Sequence, residues 1–203
     1  MFILFLSTLH AAELKILVVD TKARPVHDAY VELLAKDSSH RVKPASGVID
    51  QVDKEFTPLL SAVPVGSRVS FPNSDNIQHQ IYSFSKTKPF DLPLFEKNES
   101  QSVRFEQAGI VQMGCNIHDW MLAFLYVYES EYFQKTDEAG AVQFSALAEG
   151  AYVLRVWSPR LKKNRVPVEV ELMVAPDVNL DYTQEIKVRK KIRKKPRIED
   201  EDY

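Results

Sequence analysis

An all-β fold is predicted by two features of this sequence. Val, Ile, Tyr, Phe and Thr recur as short runs that alternate with polar residues, and Pro, Gly, Asn and Asp separate those runs. The apolar share, 45% of 203 residues, supports a buried core and argues against wholesale disorder. At this length two small domains are possible. No stretch reaches the roughly 20 apolar residues that span a bilayer as a helix.

Met1 to Ala12 has a short apolar core, Phe2 to Leu6, followed by Ala11-Ala12. It reads as a secretory signal peptide, residues 1–12, so the protein is expected to be exported to the periplasm. Lys15 to Val19 reads as a strand, Asp20 to Pro25 as a turn, and Ala29 to Leu33 as a second strand. Much later, Thr136 to Gly140 reads as another turn. Val142 and Phe144, then Tyr152, Leu154 and Val156, then Val166, Val168 and Val170 alternate as strands. Neither piece alone buries a face, because two or three strands are marginal by themselves. Together, residues 13–46 and 130–185 make a plausible β-sandwich, with 47–129 inserted as a second domain or flanking it in tandem.

The middle segment carries the chemistry. Gly66 to Asn73 leads through a polar loop to His79, and a strand is expected over Ile81 to Phe84. Gly109 to Gly114 reads as a strand that runs into Cys115-Asn116-Ile117-His118-Asp119-Trp120-Met121, and Phe124, Tyr126 and Tyr128 then alternate. Cys115 ends one strand, and the loop after it can return His118 and Met121 to the same point. His79, distant in sequence, can supply a fourth donor. Two imidazoles, a thiolate and a weak thioether are the set that selects copper in a trigonal site with a long axial Met. Zinc also suits Cys115, His79 and His118, but it seldom recruits a thioether. A Cys–His nucleophile would need an orienting group and a cleft, neither of which is visible. Covalent haem needs two cysteines, and Cys115 is alone. His27 and His40 read as solvated residues, Met113 as core, and Tyr152 and Trp157 as core or rim.

These strings resemble two families. Thr136 to Val156 is similar to T-D-x-x-G-x-x-x-F-x-x-L-x-x-G-x-Y-x-L-x-V of the transthyretin-like, carboxypeptidase-regulatory-like sandwich, as Arg24-Pro25-Val26 is to its earlier turn. G-x-x-V-x-F-x-N at Gly66–Asn73, H-x-[VI] at His79–Ile81 and C-x-x-H-x-x-M at Cys115–Met121 resemble a plastocyanin/amicyanin-like cupredoxin, a Greek-key sandwich. The two-residue gap between His118 and Met121 is the amicyanin spacing. The whole chain resembles the exported bacterial group labelled methylamine-utilisation proteins. That resemblance implies copper held by His79, Cys115, His118 and Met121, and a Gln80 backbone N–H directed at the Cys115 sulfur. It also implies electron exit at His118 within an apolar patch that includes Trp120. Ile117, Asp119 and Trp120 depart from the proline or small residues usual in that loop.

The expected function is a blue-copper electron carrier, not an enzyme, cycling Cu(I) and Cu(II) between redox proteins such as a c-type cytochrome or a dehydrogenase, as a monomer. The alternative is a copper-binding or structural subunit of a larger complex. The net charge of -2 hides a split: the stretch from Lys187 to Asp202, with eight basic and four acidic residues, leaves about six negative charges on the body. Residues 186–203 read as a charged, disordered tail. The body has no basic patch with interleaved aromatics, which argues against nucleic-acid binding.

Overall fold

The computed structural model describes residues 12–37, 42–162, 166–175 and 179–189. Among them are seventeen strands and no helix. In chain order these are β1 (Ala12–Asp20), β2 (Tyr30–Ala35), β3 (Ser46–Val48), β4 (Asp50–Val52), β5 (Glu55–Thr57), β6 (Leu60–Pro64), β7 (Ser67–Pro72), β8 (Tyr82–Ser83) and β9 (Phe90–Asp91). They continue with β10 (Ser100–Phe105), β11 (Gly109–Gly114), β12 (Leu122–Tyr128), β13 (Tyr132–Lys135), β14 (Ala141–Leu147), β15 (Gly150–Trp157), β16 (Val168–Val174) and β17 (Asn179–Ile186). The described residues form two compact units, one within Met1–Ser39 and Tyr132–Val188, the other built mainly within His40–Glu131.

In the first unit, β1 is the centre of a sheet ordered β14-β1-β17, and a second sheet runs β13-β2-β15-β16. Leu14, Ile16 and Val18 alternate inward along β1, as a half-buried strand requires, and Leu154, Val156 and Trp157 of β15 are fully buried. The sheets meet face to face through Tyr132 of β13 and Phe144 of β14, whose rings cross edge-on with centroids 6.2 Å apart. Ala12, placed by the sequence at the end of the signal segment, opens β1, is buried and pairs with Leu147. The rest of that segment lies outside the described residues.

A strand not expected from the sequence, β17, runs parallel to β1 from Glu13↔Asn179 to Asp20↔Ile186. Just beyond it, Lys187 and Val188, assigned by the sequence to the charged tail, are tied down. The Lys187 carbonyl accepts from the Lys162 N–H at 3.0 Å, and Val188 bridges Leu161. Residues 190–203 of that tail lie outside the described residues. The strand expected from Val166 begins at Val168 instead, because Pro167 cannot donate to the ladder.

The second unit has a sheet ordered β10-β7-β3, a larger one ordered β6-β12-β11-β8-β9, and the small hairpin β4-β5. Val69, Phe71, Val103 and Phe105 from the first sheet share one core with Val111, Met113, Ala123, Leu125 and Val127 from the second. Burying each such side chain contributes about 1.5–3 kcal/mol, so this core holds the layers that carry the site. The strand expected over Ile81 to Phe84 shortens to Tyr82–Ser83. The Ser83 hydroxyl accepts from the Ser85 N–H at 3.1 Å and turns the chain, leaving Phe84 exposed.

Two turns of the first unit yield predictions. Gly140 has φ +76, and a Cβ there would lie 2.6 Å from the Val18 carbonyl oxygen, a backbone atom that cannot yield. Gly140→Ala should therefore cost at least about 1 kcal/mol in chemical denaturation; an unchanged midpoint would contradict this. In the other turn, Asp20 accepts from Arg24 Nε at 2.8 Å and from the Lys22 N–H at 2.8 Å. The Arg24 side chain, opposed by desolvation and helped by the backbone N–H groups, lowers its carboxyl from 3.8 to about 2. A depressed folded value means that the carboxylate's stabilisation is present above pH 3.8 and is lost as pH falls through about 2. NMR titration of Asp20 should find its midpoint near 2. A midpoint at the ordinary value would remove the Arg24 pair from the account.

Candidate metal centre

Three sequence-predicted donors converge. The ligating atoms of His79, Cys115 and His118 all lie within 4.8 Å of one another, and all three residues are buried. The local chain explains why. Cys115 follows the last residue of β11, and Leu122 opens β12. Gly114↔Leu122 is the last rung of their ladder, so Cys115 to Met121 is a closed hairpin loop. Inside it the Met121 N–H donates to the His118 carbonyl at 3.0 Å, which turns the loop back on itself. Met121 is buried and belongs to the same core cluster as Cys115.

His79 arrives from the opposite side, on the loop after β7. Its backbone is pinned to Phe95 by a reciprocal pair of bonds, 3.2 Å from His79 N to Phe95 O and 3.0 Å in return. Asn73, at the end of the G-x-x-V-x-F-x-N string, shapes that loop. Its side-chain NH₂ donates to the Ile77 carbonyl at 2.8 Å and the Phe95 carbonyl at 3.1 Å, while its Oδ1 accepts from the Asp75 N–H at 3.0 Å. Asn73 is only 1% exposed, and its bond to Phe95 is fully buried.

The ring of His79 is oriented by Asp75, which the sequence reading did not single out. His79 Nε2 lies 2.7 Å from Asp75 Oδ2. An ionised carboxylate only accepts, so Nε2 carries a proton, and in the neutral ring Nδ1 is then the nitrogen with the lone pair. That Nδ1 faces Cys115 Sγ at 3.9 Å. Two donors bound to one ion at about 2.0–2.3 Å stand roughly 3.6–3.8 Å apart at trigonal or tetrahedral angles, so the spacing fits a shared metal. Asp75 also accepts from the Asp53 N–H at 2.6 Å and the Lys54 N–H at 2.8 Å. Burial raises its pKa, but the bonds from Lys54, His79 and Asp53 outweigh burial and hold it below the ordinary carboxylate range. An aspartate four residues before a candidate His ligand was the signal available for this role.

His118 sits nearer the surface, 8% exposed against 0% for His79. Its ring centroid is 5.1 Å from that of His79 and 5.1 Å from that of Trp120, on which it leans at 51°. Trp120 packs against the core and its indole N–H donates to the Lys54 carbonyl at 2.9 Å. Ile117 is half exposed. The Gln80 side chain accepts from Asn116 Nδ2 at 2.8 Å and donates to Asp91 at 2.7 Å, tying the Cys115–Met121 loop to β9. Met113 is core as expected and His27 is exposed, while His40 lies outside the described residues.

Compared with family models and with curated proteins, the sequence matches none. Solved structures similar to part of it include an amicyanin variant in the reduced Cu(I) form at pH 4. There the identity is 19% and the TM-score 0.39, over 48% of this chain and 98% of that one. A purple cupredoxin from Nitrosopumilus maritimus is 23% identical at TM-score 0.37, over 40% of this chain and 99% of that one. A copper-containing nitrite reductase from Thermus scotoductus SA-01 is 24% identical at TM-score 0.41, over 57% of this chain and 28% of that one. What this chain's site can do follows from its own donors: a buried cysteine sulfur and two imidazoles form a cluster able to bind a metal.

Proposed function

We propose that the protein is an exported blue-copper electron carrier, with His79, Cys115, His118 and Met121 as the copper ligands. The observation that carries this reading is the convergence of His79, Cys115 and His118 within 4.8 Å, with His79 Nε2 held by Asp75 and its Nδ1 3.9 Å from Cys115 Sγ. A thiolate and two imidazoles suit zinc and copper alike, and the thioether of Met121, buried in the same core cluster as Cys115 and three residues after His118, tips the set toward copper. Copper bound there supplies one-electron chemistry between Cu(I) and Cu(II). The protein's part is to hold its donors still, so that little rearrangement accompanies the change of charge. Cys115 and His118 are fixed by the closed loop, and His79 by Phe95 and Asp75. His118, the more exposed imidazole, is the natural exit for the electron. The partners on this reading are redox proteins such as a c-type cytochrome or a dehydrogenase, bound weakly by a monomer.

Cu(II) added to the metal-free protein should give an intense blue charge-transfer absorption and one reversible voltammetric wave. Cys115→Ser should abolish the colour. Met121→Leu should keep it and raise the potential, because losing a weak donor disfavours the more charged state. One tightly held zinc in a colourless protein would overturn the copper reading. A blue protein without a reversible wave would replace the carrier with a copper-binding subunit.

The second unit is, on the same reading, a self-contained copper domain inserted into a loop of the first. All four proposed ligands and Asp75 lie within residues 47–129. Expressed alone, that segment should fold and take up Cu(II) with the same absorption. Residues 13–46 joined to 130–189 through a short Gly-Ser linker should form a cooperatively unfolding sandwich. Failure of both pieces to fold would favour a single interdependent body.

A further inference from the structure

The turn between β4 and β5 contains none of the proposed ligands, yet it is bonded to partners of both imidazoles. Val52↔Glu55 closes the hairpin, leaving Asp53 and Lys54 as a two-residue loop. Both have positive φ, +52 and +57, the pattern a type I′ turn demands and one that Gly and Asn adopt more readily than Lys. In that conformation the Asp53 and Lys54 N–H groups both point at Asp75, which accepts from them at 2.6 and 2.8 Å while holding His79. The Lys54 carbonyl points the other way and accepts the Trp120 indole N–H, and Trp120 carries His118 on its face. The same tip is tied down on its own side. Asp50 Oδ2 accepts from the Ser74 hydroxyl at 2.8 Å, Gln51 Nε2 donates to the Pro72 carbonyl at 3.1 Å, and Phe56 is buried in the core.

We infer that the backbone of Asp53–Lys54 is a shared positioning element that fixes the two imidazoles relative to each other, through Asp75 to His79 and through Trp120 to His118. It rests on the reading of those histidines as ligands for its consequence, which is that a turn outside the ligand set tunes the symmetry of the site. The Lys54 side chain is exposed, so the effect belongs to the peptide groups rather than to the ammonium charge.

Three variants separate these ideas. Lys54→Gly keeps both peptide groups and relieves the positive-φ cost. Lys54→Val removes the same charge but places a β-branched residue where it is strained. Trp120→Phe keeps an aromatic ring at His118 and deletes only the N–H to the turn. In the metal-free protein, nitrogen-edited NMR of the imidazoles reads the exchange of the His79 Nε2 proton. Lys54→Val and Trp120→Phe should each speed that exchange about tenfold, the order expected for one weakened hydrogen bond. Lys54→Gly should leave it unchanged. After loading with Cu(II), the first two should shift the copper hyperfine splitting and the thiolate charge-transfer band together, and Lys54→Gly should not. Equal effects from Lys54→Gly and Lys54→Val would overturn the inference in favour of charge. An unchanged His79 exchange in Trp120→Phe would also overturn it, since the arms would then be independent. Should the exchange pattern hold while the unaltered protein takes up no copper, the functional reading falls and the positioning inference stands.

Discussion

The candidate site depends on one carboxylate accepting three N–H groups. Asp75 takes bonds from the His79 ring and from two adjacent peptides, and those bonds outweigh the burial that raises its pKa. Were the carboxyl neutral, it could offer a proton to Nε2, and the tautomer that leaves Nδ1 bare toward Cys115 would lose its preference. A carboxylate behind a ligating imidazole both orients the ring and raises its basicity. The orientation of the His79 ring is therefore set by a residue outside the proposed donor set.

Around this interaction, the second unit divides its labour between strands and loops. The strands build a core dense enough to fix β7 and β11, whose ends launch Asn73 and Cys115. The loops then carry every donor, and each loop is made rigid by its own short-range bonds: Asn73 inside one, the Met121–His118 turn inside the other. Rigidity borrowed from side-chain networks rather than from regular structure is what allows two imidazoles and the Cys115 sulfur to crowd one point. It also explains why small polar residues in these loops matter more than their size suggests.

Much of this was legible in the sequence because it is local. The Gly66–Asn73 string works as written: Gly66 takes φ +85, Val69 and Phe71 alternate into the core, and Asn73 organises the following loop. Cys115 and His118 share one short loop, and spacing alone predicted their meeting. What was not legible depends on partners far along the chain. The roles of Asp53 and Lys54 come from peptide groups, which carry no residue identity, and from a left-handed turn written as Asp-Lys rather than the expected Asn-Gly. β17 was missed although Leu180, Tyr182 and Ile186 alternate with polar neighbours, because the polar Gln184 interrupts the apolar face and the run abuts a basic tail. Nothing local there announces parallel pairing with residues at the start of the chain.

That parallel pairing has a consequence for the order in which the protein is made. β1 is the central strand of its sheet, yet its two neighbours are β14 and β17, so the earliest of the described strands waits for the latest of them before its hydrogen bonds are complete. Every described strand of the other unit has emerged by Tyr128 and pairs, among the described residues, with no strand that comes after it. Closing a long loop late is slow, whereas contacts within a contiguous segment form early. The chain thus has a built-in sequence of maturation, in which the metal-binding unit can be finished while β1 is still an open edge. During that interval β1, with Leu14, Ile16 and Val18 on one face, is the segment most exposed to mispairing, and the interval ends only when Asn179–Ile186 arrives.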